Sequence, residues 1–206
     1  MAERYEYAKG RLLESAVRPD PIEQFGLWLE EAKAASILEY SAMCLSTVDA
    51  NQQPHSRMVL LRGYSSGKFA FFTNYRSAKA QDLEQNPRAC LNFWWGPLER
   101  QIRIEGTVER APEQLSDEYW ASRPHESQVA SYASPQSSPV EIEELTEKVN
   151  TITREFPETV PRPKHWGGFL LDPESIEFWQ GGKARLHDRL LYLKSGNGWL
   201  IRRLAP

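Results

Sequence analysis

Cysteine is scarce in this chain of 206 residues: Cys44 and Cys90 stand far apart, with no Cys-x-x-Cys or His-x-x-x-His companion. That scarcity argues against a zinc site or a disulfide scaffold and predicts two buried thiols in a reducing compartment. No metal is expected. No apolar run approaches the length of a membrane span, and Met1 to Glu6 lacks the apolar stretch of a signal peptide, so residence in the cytoplasm is expected. The formal net charge of -3 supplies no basic field, and no Lys/Arg run marks a nucleic-acid partner. Gly-x-Gly-x-x-Gly and the P-loop are both missing. Any phosphate must therefore be held by side chains rather than by a glycine-rich helix start.

Aromatic residues, by contrast, are plentiful, with 7 Trp, 8 Tyr and 8 Phe in a chain that is 40% hydrophobic. Length and hydrophobic content suit one domain over residues 1–206 with one substantial core. Residues 3–11 read as a short polar helix. Asp20-Pro21-Ile22-Glu23 is a firmer start signal, and the helix it opens should reach Ala35, burying Ile22, Phe25, Trp28, Leu29 and Ala32. β-rich runs follow at 43–48, 56–64 and 68–73, the last two joined as a hairpin by Ser65-Ser66-Gly67. Ser77 caps a helix through Gln85, and strands at 89–95 and 99–110 come next. The second turns Gln101, Arg103 and Glu105 to one side, a polar face that needs water or a ligand. A helix over 112–122, a Ser/Pro/Gln-rich loop over 123–139 and a solvated acidic helix over 141–156 lead to a proline connector. Strands at 167–171, 176–179, 185–194 and 199–204 close the chain. The pattern predicts an α+β fold: a mostly antiparallel, barrel-like sheet with surrounding helices. Trp94 and Trp95 read as core or interface aromatics, and His55, His125 and His165 as surface or structural residues.

The chemistry concentrates between Phe178 and Arg189. Strand alternation would send Arg185, His187 and Arg189 to one face and Leu186 and Asp188 to the other, Gly181 and Gly182 would let the backbone approach a ligand, and arginine forks suit phosphate or carboxylate. The plainer reading is a glycine turn before an edge strand whose charges sit in water.

Several segments decide between these readings when taken in order: Ser56-Arg57-Met58-Val59-Leu60-Leu61, Phe72-Thr73-Asn74, Asn86-Pro87-Arg88, Leu98-Glu99-Arg100-Gln101, Ser122-Arg123-Pro124, Gln136-Ser137-Ser138, Trp166-Gly167-Gly168, Phe178-Trp179-Gln180-Gly181, Arg185-Leu186-His187-Asp188-Arg189 and Arg203-Leu204-Ala205-Pro206. Through them the chain resembles the pyridoxine/pyridoxamine 5'-phosphate oxidase family over nearly its whole length. The resemblance implies a homodimeric, FMN-binding split β-barrel. It also implies oxidation of pyridoxine and pyridoxamine 5'-phosphates to pyridoxal 5'-phosphate in vitamin B6 biosynthesis and salvage, with O2 reduced to H2O2. FMN would lie between subunits, against Arg57, Met58, Val59, Leu60, Phe72, Thr73, Lys79, Gln101, Gln136, Ser137, Trp179 and Arg189.

By the same resemblance Arg62, Tyr119, Arg123 and Ser127 surround the substrate phosphate. Arg185, Leu186 and His187 lie over the pyridine ring, with Arg185 and His187 as the catalytic pair that aligns C4' with flavin N5. His187 would also accept or relay a proton, and Arg189 would support negative charge on reduced flavin. Arg4, Tyr5, Glu6 and Tyr7 match a substrate-covering segment, making residues 1–19 a mobile lid. Two positions depart from the family pattern. Arg62 stands where lysine is frequent, and Ala78 replaces an arginine before Lys79, with Arg76 close enough in sequence to compensate. The second change should weaken FMN binding by about 1 to 2 kcal/mol. Two rivals remain: a related flavin oxidase acting on another anionic aromatic, such as a phenazine precursor, and a non-catalytic carrier of pyridoxal 5'-phosphate or flavin. An intact Arg185-Leu186-His187 favours an oxidase over a carrier.

Overall fold

The structure, a computed structural model, describes residues 6–206. Helix α1 (Pro21–Ala34) begins as its sequence dictates: Asp20 Oδ1 accepts from the Ile22 N–H at 2.7 Å, and Pro21 sits in the first turn, where a missing N–H costs nothing. Its face of Phe25, Trp28, Leu29 and Ala32 is buried. Phe25 meets Tyr64, Phe69 and Phe93 edge-on at centroid distances of 5.2, 5.0 and 5.3 Å, which fixes α1 against the sheet. The short helix expected over 3–11 is not present among the described residues 6–11. The backbone donors of Ala8 and Lys9 go instead to the buried carboxylate of Glu99, at 2.8 and 2.9 Å.

Eight strands form one antiparallel sheet: β1 (Ala42–Val48), β2 (Pro54–Leu60), β3 (Phe69–Asn74), β4 (Arg88–Trp95), β5 (Arg100–Arg110), β6 (Trp166–Gln180), β7 (Asp188–Ser195) and β8 (Gly198–Arg203). The order β2-β1-β4-β5-β6-β7-β8, with β3 alongside β6, leaves the sheet unclosed, a split barrel with helices around it. Two expectations fail here. The hairpin of residues 56–64 with 68–73 does not form, because β2 pairs with β1 and β3 with β6, and a single Gly63–Ala70 bridge links them. The two strands expected within 167–179 are one. Pro173 is tolerated at a register shift opposite Glu105 and Gly106, where the ladder loses no donor it needs. β5 alternates as its sequence predicts, with Ile102 and Ile104 buried and Gln101, Arg103 and Glu105 turned outward.

Helices α2 (Ala78–Gln85), α3 (Glu113–Ala121), α4 (His125–Ala133) and α5 (Ile142–Glu155) complete the fold. Ser77 precedes α2, but its hydroxyl donates back to the Asn74 carbonyl at 2.7 Å instead of capping the helix. α4 occupies the stretch expected to be loop. Its buried Gln128 donates to the Trp120 carbonyl at 2.8 Å, and Val129 joins Trp120, Val160 and Trp166 in a second small core. α5 buries no residue. Trp95 is in the main core, whereas Trp94 is half exposed. The thiols are partly rather than fully buried, and burial still pushes Cys90 up to about 11. Among the described residues no helix is long and apolar enough to cross a membrane.

Candidate active site

The edge strand β2, the end of β3 and helices α2 to α5 surround a cavity of about 770 Å³. Arg57, Met58, Val59 and Leu60 reach it from β2 and the following turn brings Arg62; Phe72 and Thr73 come from β3, Lys79 from α2, Tyr119 from α3, Arg123 and Ser127 from around α4, and Gln136 from beyond it. Among the described residues four cations line the cavity and no carboxylate does. Such a charge balance suits an anionic ligand carrying more than one negative charge. Sequence reasoning missed Ser131, Leu145, Val149 and Trp166, which also line it. The i, i+4 spacing of Leu145 and Val149, followed by Ile152 three residues on, was a signal for an inward face.

Lys79 is buried and donates to Thr73 Oγ1 and Ser77 Oγ at 3.1 and 3.2 Å. Burial, reinforced by the nearby Arg57, pulls its pKa down to about 8. Burial also lowers Arg57, whose Nη1 donates to Thr47 Oγ1 at 2.6 Å. Across the cavity Arg123 donates to the Ser127 carbonyl and Ser131 Oγ at 3.0 and 2.8 Å, with its guanidinium 4.7 Å from the Trp166 ring centre. Phe72 stacks on Tyr119 with centroids 4.1 Å apart, forming a flat aromatic wall, and Arg62 lies over the Tyr119 ring.

The other expected residues gather elsewhere in the chain. Gln101, Trp179 and Arg189 form one row across β5, β6 and β7. The Trp179 ring lies 4.7 Å from His187, and Tyr7 stands edge-on to both rings at 5.5 Å. None of Gln101, Trp179, Arg185, Leu186, His187 or Arg189 lines the cavity. Ser137, at φ 71°, does not line it either. Glu6 reaches the second group, accepting from the Ala184 N–H at 3.4 Å, while Arg4 and Tyr5 lie outside the described residues.

The strand alternation expected for Arg185, His187 and Arg189 is overturned. Residues Lys183–Arg185 make a 3-10 turn in which Ala184 and Arg185 adopt φ of 53° and 66°, and β7 starts only at Asp188. Leu186 is 71% exposed, whereas Asp188 is buried and accepts from the Leu12 N–H and from Arg203. Close packing requires both glycines: a Cβ on Gly182 would fall 2.1 Å from the Leu186 carbonyl oxygen, and one on Gly181 would fall 2.8 Å from the Tyr7 ring. Burial, then the neighbouring Arg185 and Arg189, lower the pKa of His187, which favours the neutral ring. Gly182 N–H donates to its Nδ1 at 3.1 Å, so the ring proton resides on Nε2 and that atom is a donor. Arg189 gives Nε and Nη2 to Glu177 at 2.6 and 3.1 Å, and Arg103 shares the same buried carboxylate at 2.7 Å. One net positive charge remains from the three groups.

A family model described as pyridoxamine 5'-phosphate oxidase matches residues 29–151, and one described as the pyridoxine 5'-phosphate oxidase C-terminal dimerisation region matches residues 166–206. A pyridoxine/pyridoxamine 5'-phosphate oxidase of Bordetella petrii is 50% identical over 204 residues, covering 98% of this chain and 97% of the relative. One from Rubrobacter xylanophilus is 49% identical over 205 residues, covering 98% and 94%. Among solved structures, PhzG from Burkholderia lata, in complex with tetrahydrophenazine-1-carboxylic acid, superposes with a TM-score of 0.90 at 28% identity, covering 95% of this chain and 98% of that one. An FMN-binding protein from Nostoc punctiforme shares the fold at a TM-score of 0.74 and 18% identity, covering 92% and 100%.

Proposed function

The chain belongs to the pyridoxamine 5'-phosphate oxidase family, and from that premise we propose that it oxidises pyridoxine and pyridoxamine 5'-phosphates to pyridoxal 5'-phosphate, using FMN. O2 is the electron acceptor and leaves as H2O2; the amine substrate also takes up water and releases ammonia. The reaction serves the biosynthesis and salvage of vitamin B6. The observation that carries this reading is the acid-free cavity with Arg57, Lys79, Arg62 and Arg123 on its wall.

The donor set fits FMN. Arg57 and Lys79 supply two cations for a phosphate dianion, and Thr73 and Gln136 supply polar groups beside them. When bound, the flavin supplies the acceptor for the hydride that leaves C4'. Arg62 and Arg123, with Tyr119 and Ser127, hold the substrate phosphate at the other side of the cavity. The row of Gln101, Trp179 and Arg189 comes from a second copy of the chain in a homodimer, with Arg185 and His187 turned toward the pyridine ring. In this arrangement His187 orients the C4' oxygen or nitrogen through its Nε2–H and takes no proton, because Nδ1 is occupied. Glu6 and Tyr7 close over this side.

The likeness to PhzG favours one alternative, a flavin oxidase acting on a carboxylated polycycle. Anaerobic protein loaded with FMN decides between them. Pyridoxine 5'-phosphate should bleach the visible flavin band, and air should restore it. A flavin that binds yet bleaches with neither B6 phosphate sinks the substrate assignment.

A further inference from the structure

Arg57 reaches the cavity tethered along one edge. Its Nη1 donates at 2.6 Å to Thr47 Oγ1 and at 3.2 Å to the Leu45 carbonyl, and its Nη2 lies 3.6 Å from Asp82 Oδ2. Thr47 Oγ1 is itself 2.6 Å from Asp82 Oδ2, and both residues are buried, at 1% and 6% exposure. A guanidinium has no lone pair to accept with, and an ionised carboxylate has no proton to give. The hydroxyl between them must therefore accept from Arg57 and donate to Asp82, so each bond in the relay has one direction. His55 Nδ1, 3.2 Å from the same Oδ2, completes the surroundings of the carboxylate.

The relay ties three elements together: Thr47 on β1, Arg57 on β2 and Asp82 on α2, one turn beyond Lys79. Asp82 is not the counter-ion of Lys79, whose partners are the hydroxyls of Thr73 and Ser77.

We propose that Thr47 and Asp82 are positioning residues for the anion subsite, holding Arg57 by one edge so that its remaining donors face the ligand before the ligand arrives. The inference rests on the reading that Arg57 meets the flavin phosphate. A long side chain ordered in advance loses less freedom on binding, so the relay acts on affinity through Arg57 alone.

Binding of FMN to the apoprotein, followed by quenching of flavin fluorescence, tests this. Thr47→Val, nearly the same shape without the hydroxyl, should raise the FMN Kd about tenfold, the scale of one hydrogen bond to a charged group. Thr47→Ser should stay within about twofold of the parent, since it restores the relay. In an Arg57→Ala background Thr47→Val should cost nothing further, the signature of two residues acting as one unit. An unchanged Kd for Thr47→Val, or an equal loss in both backgrounds, overturns the proposal. If Thr47→Val does not fold, Asp82→Ala reads the same relay with opposite electrostatics. Deleting a negative charge beside an anion site tightens FMN by Coulomb's law alone, whereas loss of the relay weakens it. Tighter binding by Asp82→Ala overturns the proposal, and weaker binding that disappears with Arg57→Ala supports it. A parent protein that binds no FMN refutes the flavin reading itself, and is thereby told apart from failure of the relay.

Discussion

Lys79 is the residue at which burial, charge and ligand chemistry meet. Its pKa falls from an ordinary 10.5 to about 8 because the ammonium is desolvated beside Arg57 and is met by hydroxyls instead of an acid. A depressed lysine pKa means that between pH 8 and 10.5 the unfolded chain holds a proton the folded apoprotein has released, so this group's contribution to stability rises with pH in that window. FMN affinity should move the other way. A phosphate dianion favours the ammonium form, so binding above pH 8 takes up as much as one proton, and the Kd should rise by up to about tenfold per pH unit. Calorimetric titrations in two buffers of different ionisation enthalpy read that proton directly, and no uptake at pH 9 would refute the assignment of Lys79 to the phosphate. Next to Lys79, Ala78 stands at the first position of α2. Restoring a cation there, Ala78→Arg, should tighten FMN by about 1 to 2 kcal/mol, and an unchanged titration would show that the phosphate lies beyond its reach.

At the scale of elements, β6 determines whether the site can form, because it pairs with β5 from Phe169 to Gln180, with β3 at its start and with β7 at its end. Its register shift depends on Gly106, where an added Cβ would fall 2.0 Å from the Asp172 carbonyl oxygen. Gly106→Ala must therefore push β5 and β6 apart, at a cost of about 3 kcal/mol, which thermal unfolding would show as a lower Tm. This bulge is also where the sequence misled. Asp172-Pro173-Glu174 carries the marks of a break, since proline is excluded from a regular ladder, and only the pairing partner reveals that the ladder skips there. α4 was hidden for a different reason: its serines and glutamine favour loops locally, yet Gln128 is buried by partners 8 and 32 residues away, which no local window contains. α1 was legible because its cap, its proline and its apolar face all lie within the helix and its first neighbours. Within the candidate site, the cavity residues from Arg57 to Gln136 that the ordered motifs carry were readable, while Ser131, Leu145 and Val149 and the conformation around Arg185 were not. Left-handed backbone at Ala184 and Arg185 runs against the preference of both residue types, and the surrounding turn imposes it.

At the scale of the molecule, one chain holds the cavity and the row of Trp179 and Arg189, with the adjoining Arg185 and His187, as separate groups, and a match to a dimerisation region covers β6, β7 and the turn between them. If each complete site takes its cavity from one subunit and its row from the other, defects in the two groups should complement. Lys79→Ala damages only the cavity and Arg185→Ala only the row, so each homodimer carries two impaired sites. A mixed dimer carries one site with both defects and one with neither. Random pairing of two co-expressed variants puts half of the dimers in the mixed form, with half of their sites intact, so activity should recover to about a quarter of the parent value. Sites built within one chain give a different result, because every site then bears one defect and mixing yields only the average of the two impaired proteins. The comparison needs only oxidase turnover per subunit at saturating FMN in the co-expressed and singly expressed preparations, and failure to exceed that average would return the whole site to a single subunit.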